Sequence, residues 1–425
     1  MWLNLYVVFG KVNIMTVSNA AGQHTLRERN VALVAQEIFT SEAPLSRAAI
    51  AASTGLTRAT VSSLVDLLVD SQLVAELPPA VSKKAGRPAV PLIPATGTFF
   101  GIGLEVNVHY LGGVIVDLTG KEFGRSIVEG DYRGSDPAEV MAELGRIAAE
   151  LAHNAINSVQ KPGRTTPTIA GVNVALPGLI DPANSALRVA PNLGWKDLSP
   201  VDTSPISRAL EPVAGRAVTV EIGNEANLGA LAQIALGALH TFVYVSAEVG
   251  IGSSIVLDKD VFLGRRGWSG ELGHVTVDPS GPQCSCGSRG CLEQYAGQAS
   301  LMKNAGLGDD TPVSVLVERL EDGDETAHSA VQIAGEALGR ALADFINLID
   351  IHMVVLGGIY HELANFLTPV VEDKLKAHVL SAKWSTFEVI PAPIGEGASL
   401  LGGATSVTRA VSADPARWIS ESEDT

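Results

Sequence analysis

All three cysteines of this 425-residue chain, Cys284, Cys286 and Cys291, fall in one eight-residue span, and His274 stands ten residues ahead of the first. Any fold must close a tight loop here, and Gly281, Gly287 and Gly290 supply the turns that could bring three thiols round one centre. Three thiolates and an imidazole form a closed tetrahedral set, which zinc accepts without redox chemistry. No coordination position stays open, so the expected ion is structural and not hydrolytic. Clustering beside a histidine also points to a reducing compartment, since a disulfide framework spreads its cysteines along the chain. Three reduced core cysteines are the alternative, and the tight spacing speaks against it.

Length implies two or three cores. With 46% hydrophobic and 18% charged residues, the composition is that of a well-packed soluble protein. The net charge of −16 excludes general adhesion to nucleic acid, but it hides a split. Residues 1–95 carry eight Lys/Arg against six Asp/Glu, while the remainder carries 22 against 40. Phosphate contact needs local positive charge, so an N-terminal contact stays open. Residues 1–9 are apolar but too short to span a bilayer, and no basic residue precedes them. Residues 1–23 therefore read as an apolar, disordered leader, with Met15 a more natural start than Met1. No other targeting or membrane segment is visible, so the expectation is a cytoplasmic protein without a membrane partner.

Residues 24–95 read as a winged helix-turn-helix. Helices are expected over Leu26–Phe39, Leu45–Ser53 and Arg58–Asp70. Ala48, Ala49 and Ala52 allow close helix approach, Gly55 makes the turn, and Thr57 can cap the next helix. In that helix Val61, Leu64, Val65 and Leu68 form the buried stripe, which leaves Thr57, Arg58, Thr60 and Ser62 for a major groove. An ordinary helical hairpin would explain this much equally well. Lys83, Lys84 and the Gly-flanked Arg87 then add a basic wing suited to a narrow minor groove, and operator DNA becomes the expected partner.

From Phe99 onward, apolar strand-like runs alternate with amphipathic helical stretches such as Ala138–Val159 and Asn227–Leu236, the pattern of an α/β fold. The pattern occurs twice without a visible sequence repeat. It divides near residue 220 into lobes over 96–220 and 221–410, followed by an acidic tail over 411–425.

Several segments resemble the ROK family of repressors, open reading frames and sugar kinases. They are ALPGLID at 175–181, PNLGW at 191–195, GNEANLGAL at 223–231, GELGH at 270–274, the cysteine knuckle, and VVLGGI at 354–359, besides the N-terminal helices and their GRP wing. The resemblance covers roughly residues 24–408. It implies a two-lobed sugar-kinase-like domain (actin-like ATPase, ribonuclease H-like), a sugar or sugar phosphate in the cleft, and a homodimer or homotetramer. Regulators of xylose, glucose and N-acetylglucosamine use share these motifs. Carried over by position, the sugar contacts are Asn192, Asn224, Glu225, Glu271, His274 and Glu293, and the metal ligands are His274, Cys284, Cys286 and Cys291. Carboxylates and amides suit sugar hydroxyls because each can accept or donate paired hydrogen bonds.

The family's kinases carry Asp-x-Gly-Gly-Thr in a first phosphate loop, where this chain has Glu105-Val106-Asn107-Val108-His109. The second loop reads Glu248-Val249-Gly250-Ile251-Gly252-Ser253-Ser254, which brings a carboxylate to the phosphates. Glu225 stands at the position of the catalytic Asp, one methylene longer. The expectation is a sugar-responsive transcriptional regulator, a repressor of carbohydrate-use genes, with no kinase activity and no catalytic residue. The rivals are an ATP-dependent sugar kinase with a DNA-binding arm and a scaffold controlled by a partner protein.

Overall fold

The structure, a computed structural model, describes residues 23–41, 43–79, 90–160, 166–308 and 311–419. The chain forms two compact units, one from residues 1–95 with 411–425 and one from residues 96–410.

The first unit begins with α1 (Gln23–Thr40), β1 (Leu45–Ser46), α2 (Arg47–Thr54), α3 (Arg58–Asp70), β2 (Val74–Glu76) and β3 (Pro91–Pro94). Ser46 caps α2 by accepting from Ala49 N, and Thr57 caps α3 by accepting from Thr60 N. The expected stripe of Val61, Leu64, Val65 and Leu68 is buried, as are Val31, Val34 and Ile38 of α1 and Ile50 of α2, and α3 packs on both of those helices. Two boundaries shift. Leu45 and Ser46, expected in a helix, pair with Leu92 and Pro91. The end of the segment read as wing and linker becomes the central strand in a β1-β3-β2 sheet. The leader over 1–22 and the wing residues Lys83, Lys84 and Arg87 lie outside the described residues. The segment read as an acidic tail is folded through Trp418: Pro415–Trp418 makes a 3-10 turn that packs on α1.

The second unit opens with β4 (Phe99–Val106), β5 (Tyr110–Asp117), β6 (Glu122–Glu129), α4 (Pro137–Val159), β7 (Thr168–Leu176), β8 (Leu179–Asp181), β9 (Ala186–Ala190), β10 (Trp195–Leu198), α5 (Ser204–Ala214) and β11 (Val220–Asn224). It continues with α6 (Glu225–Ala235), β12 (Phe242–Ala247), β13 (Ile251–Leu257), β14 (Asp260–Val261), α7 (Glu293–Ala296), α8 (Gln298–Asn304) and α9 (Val313–Glu321). It ends with α10 (Glu325–Ile349), β15 (Met353–Gly358), α11 (Ile359–Glu362), α12 (Ala364–His378), β16 (Glu388–Pro391) and α13 (Ala398–Ala413).

Two five-stranded sheets run in the orders β11-β7-β4-β5-β6 and β16-β15-β12-β13-β14. Renumbered within each half, the two orders are the same, with an antiparallel three-strand meander extended by two parallel strands. The doubling read from the alternation of runs is therefore a doubling of topology. The boundary at residue 220 moves, because β11 completes the first sheet. So does the assignment of residues 398–410, since Leu400 and Ala404 of α13 pack on Val114 and Val116 of the first sheet. Gly103 makes this possible: a Cβ there would stand 1.9 Å from Leu400 O.

Candidate functional site

The knuckle gathers as its spacing predicts. One ligand atom each from His274, Cys284, Cys286 and Cys291 lies within 4.8 Å of the others, so the group could hold a metal ion. Cys284 Sγ is 3.9 Å from His274 Nδ1, and Cys286 Sγ is 3.6 Å from Cys291 Sγ. Gly290 has a φ of +64°, and a Cβ there would fall 1.6 Å from Asp278 O, so only glycine lets the chain turn back to Cys291. A backbone hydrogen bond from Ser288 lowers the Cys286 thiol, whereas burial pushes Cys291 up to about 12. The bare site therefore offers its protons unequally, and a bound cation would take up thiolates.

His274 also faces a cleft. All six residues assigned to sugar by the resemblance, Asn192, Asn224, Glu225, Glu271, His274 and Glu293, line it together with the loops at Gly178 and Gly250–Ser253. Their local roles differ. Asn224 caps α6 by accepting from Ala226 N at 3.0 Å and Asn227 N at 3.1 Å, and its Nδ2 donates to Gly178 O at 3.0 Å. Its amide is thus committed to holding two walls in place. Glu293 accepts from Ile251 N at 3.2 Å, tying the knuckle's exit to β13. Glu271 is raised by burial, an effect opposed by His274 and reinforced by Glu293. Ser253, whose hydroxyl donates to Gly270 O, joins this wall; the sequence placed it in the second phosphate loop and not among the sugar contacts.

Glu225 is the wall between this cleft and a larger cavity of about 910 Å³. The turn after β4 and the turn after β12 meet there, because Asn107 Nδ2 donates to Glu248 Oε2. Asn107 Oδ1 also accepts from His109 N at 3.0 Å, and the Val108 side chain is buried in the first core. Glu248 is raised by burial despite Asn107. Glu225 is raised by burial and then by Glu248, Glu105 and Glu271. Burial and Glu248 bring Glu105 to about 7.

In the first unit Thr57 and Arg58 are exposed, while Thr60 and Ser62 are half-buried. The Thr57 and Thr60 hydroxyls bond each other at 2.8 Å as part of the cap. Arg47, counted among the N-terminal cations, is held by Asp66 at 2.7 Å and Glu76 at 2.6 Å. Sequence reasoning passed over a groove of about 320 Å³ in which Arg27 and Asn30 of α1 face Thr60 and Ser63 of α3. Among the described residues, no helix is long and apolar enough to cross a membrane.

A sequence profile of the ROK family matches residues 132–410. The xylose repressor of Bacillus subtilis is 29% identical over 389 residues, which span 90% of this chain and 95% of that protein. The crystal structure of a ROK family transcriptional regulator, a homologue of the E. coli MLC protein, superposes with a TM-score of 0.74 at 23% identity. That match covers 92% of this chain and 97% of the regulator. A ROK hexokinase from Thermus thermophilus gives a TM-score of 0.54 at 26% identity, covering 73% of this chain and 97% of the kinase.

Proposed function

Because the chain belongs to the ROK family, we propose that it is a sugar-responsive DNA-binding regulator, a repressor of carbohydrate-use genes, built on a kinase fold that no longer transfers phosphate. The observation that carries this reading is the junction of the two turns that would hold nucleotide phosphates. Asn107 and Glu248 bond across the gap, Val108 is buried beside them, and the carboxylates of Glu105, Glu225 and Glu248 surround the place where anionic oxygens would sit. Glycine-bared N–H groups attract phosphate, and clustered carboxylates repel it.

The sugar cleft is retained. Glu225, Glu271, His274 and Glu293 offer acceptors and a donor to a monosaccharide or its phosphate, Asn192 lies beside them, and Asn224 braces the wall. Zinc fits the knuckle: sulfurs about 2.3 Å from a tetrahedral ion stand about 3.8 Å apart, close to the 3.6 Å between Cys286 and Cys291. Bound there, zinc would lock His274 at the cleft wall.

The first unit is a winged helix-turn-helix in this reading. Arg58 and Ser62 face the major groove, Thr57 and Thr60 shape the helix start, and the wing with Lys83, Lys84 and Arg87 enters the minor groove. A homodimer or homotetramer would present two such units to a palindromic operator. Sugar acts through its different affinity for the operator-competent and released states, with a coupling of roughly 1–3 kcal/mol.

A thermal-shift screen of the full chain against monosaccharides and their phosphates, with and without magnesium-ATP, tests the reading. One sugar should raise the melting temperature, by the equivalent of about 2.7 kcal/mol at a hundredfold excess over Kd, and ATP should add nothing. Stabilisation by ATP would restore the kinase. Silence toward every sugar would favour control by a partner protein.

A further inference from the structure

The groove of about 320 Å³ in the first unit lies apart from Arg58 and Ser62, the residues set against base edges. Leu26, Arg27 and Asn30 of α1 line one side of it, and Thr60, Ser63 and Leu64 of α3 the other. Arg27 is exposed, and no described residue holds its guanidinium by a hydrogen bond or an ion pair. Arg47, in contrast, is engaged by Asp66 and Glu76 and has little left for a ligand. Asn30 and Ser63 add an amide and a hydroxyl, so a free cation and two neutral donors share one hollow that no carboxylate lines. Leu26 beside them is 51% exposed.

The dimensions of DNA decide which anion reaches this place. A major groove about 12 Å wide admits one helix of about 10–12 Å diameter. With α3 inside the groove, its neighbour α1 is kept from the base edges and meets the sugar-phosphate wall instead. A guanidinium matches phosphate oxygens with two parallel N–H donors, and an amide or hydroxyl can serve an oxygen left over. Deoxyribose would cover the exposed surface of Leu26. We propose that this hollow seats one backbone phosphate of the bound duplex, held by Arg27 with Asn30 and Ser63. The inference rests on the reading of the first unit as the DNA-binding one. Such a seat carries no sequence information of its own, but it fixes the register in which Arg58 and Ser62 meet the bases.

Fluorescence anisotropy of the full chain tests this with two duplexes, one selected by the parent chain from a random-sequence pool and one of scrambled sequence. Arg27→Ala should weaken both duplexes by the same factor, about five- to tenfold near 0.1 M salt, and lower the slope of log affinity against log salt by about one. Arg27→Lys keeps the charge and should keep the slope. Both variants should melt with the parent, because nothing in the fold holds that side chain. A scan of single uncharged methylphosphonate linkages through the selected duplex then locates the phosphate. At one linkage in each half-site, neutralisation should weaken the parent chain about fivefold and leave Arg27→Ala unaffected.

An unchanged slope in Arg27→Ala, a loss confined to the selected duplex, or the absence of any linkage at which the variant is spared would overturn the proposal and leave the regulator reading standing. Failure of the parent chain to bind any duplex would remove that reading and the phosphate seat together.

Discussion

Glu105 opposes folding whenever it is ionised. Its carboxyl rises from the ordinary 4.5 to about 7 in the folded chain, chiefly through burial. A raised pKa means that its favourable contribution is complete below about pH 4.5 and is lost as pH climbs through 7. Glu105→Gln keeps the shape and removes the ionisation. The melting temperature of the variant should therefore exceed that of the parent increasingly from pH 5 to pH 8, by the equivalent of at most about 3 kcal/mol. Parallel curves for the two proteins would show that Glu105 is not held in this way. At the knuckle, Cys291→Ser removes a buried ligand, and loss of a metal site belongs among substitutions costing more than about 4 kcal/mol. Equimolar zinc should disappear from the purified protein and its melting temperature should fall. Sequence alone exposed the ligands because four residues close in the chain define the site. It did not expose Glu105 as a buried acid of raised pKa, since that depends in part on Glu248, 143 positions away, reaching the same cavity.

The helix α3 was legible to both its ends because its signals are local. Thr57 caps it, the apolar residues recur at helical spacing, and the pattern stops at Asp70. The three-strand sheet beside it was not, because β1 has only two residues and β3 is Pro-Leu-Ile-Pro, which has neither alternation nor length. Those strands exist through their pairing with each other, a non-local gain that no window of sequence contains. Two substitutions on α3 should separate stability from recognition. Thr57→Ala should cost about 0.5–2 kcal/mol of stability through the lost cap. Arg58→Ala should leave the melting temperature in place and weaken operator binding; if Arg58 meets a phosphate, the slope of log affinity against log salt falls by about one. An unchanged affinity and slope for Arg58→Ala would move the DNA contact away from the start of α3, and the groove at Arg27 and Asn30 would be the next face to probe.

Across the whole molecule, the alternation of apolar and amphipathic runs disclosed an α/β protein of two halves but misplaced their seam. The edge strand β11 and the last helix α13 both belong with the first sheet, and α13 is more than 280 residues from the strand β4 whose Gly103 admits it. The far end of the chain behaves likewise, since Pro415–Trp418 packs on α1. Deleting residues 414–425 should therefore damage the first unit: operator affinity should drop at least tenfold, while sugar still stabilises the second unit in a thermal shift. Full operator binding by the truncated chain would show that the C-terminal turn is dispensable. The same arrangement orders events at the ribosome. Domains generally fold from the N-terminus as synthesis proceeds, but here helix α1 waits for a segment translated more than 370 codons after it. A nascent chain would thus complete the packing of its first unit only after the whole second unit has been made.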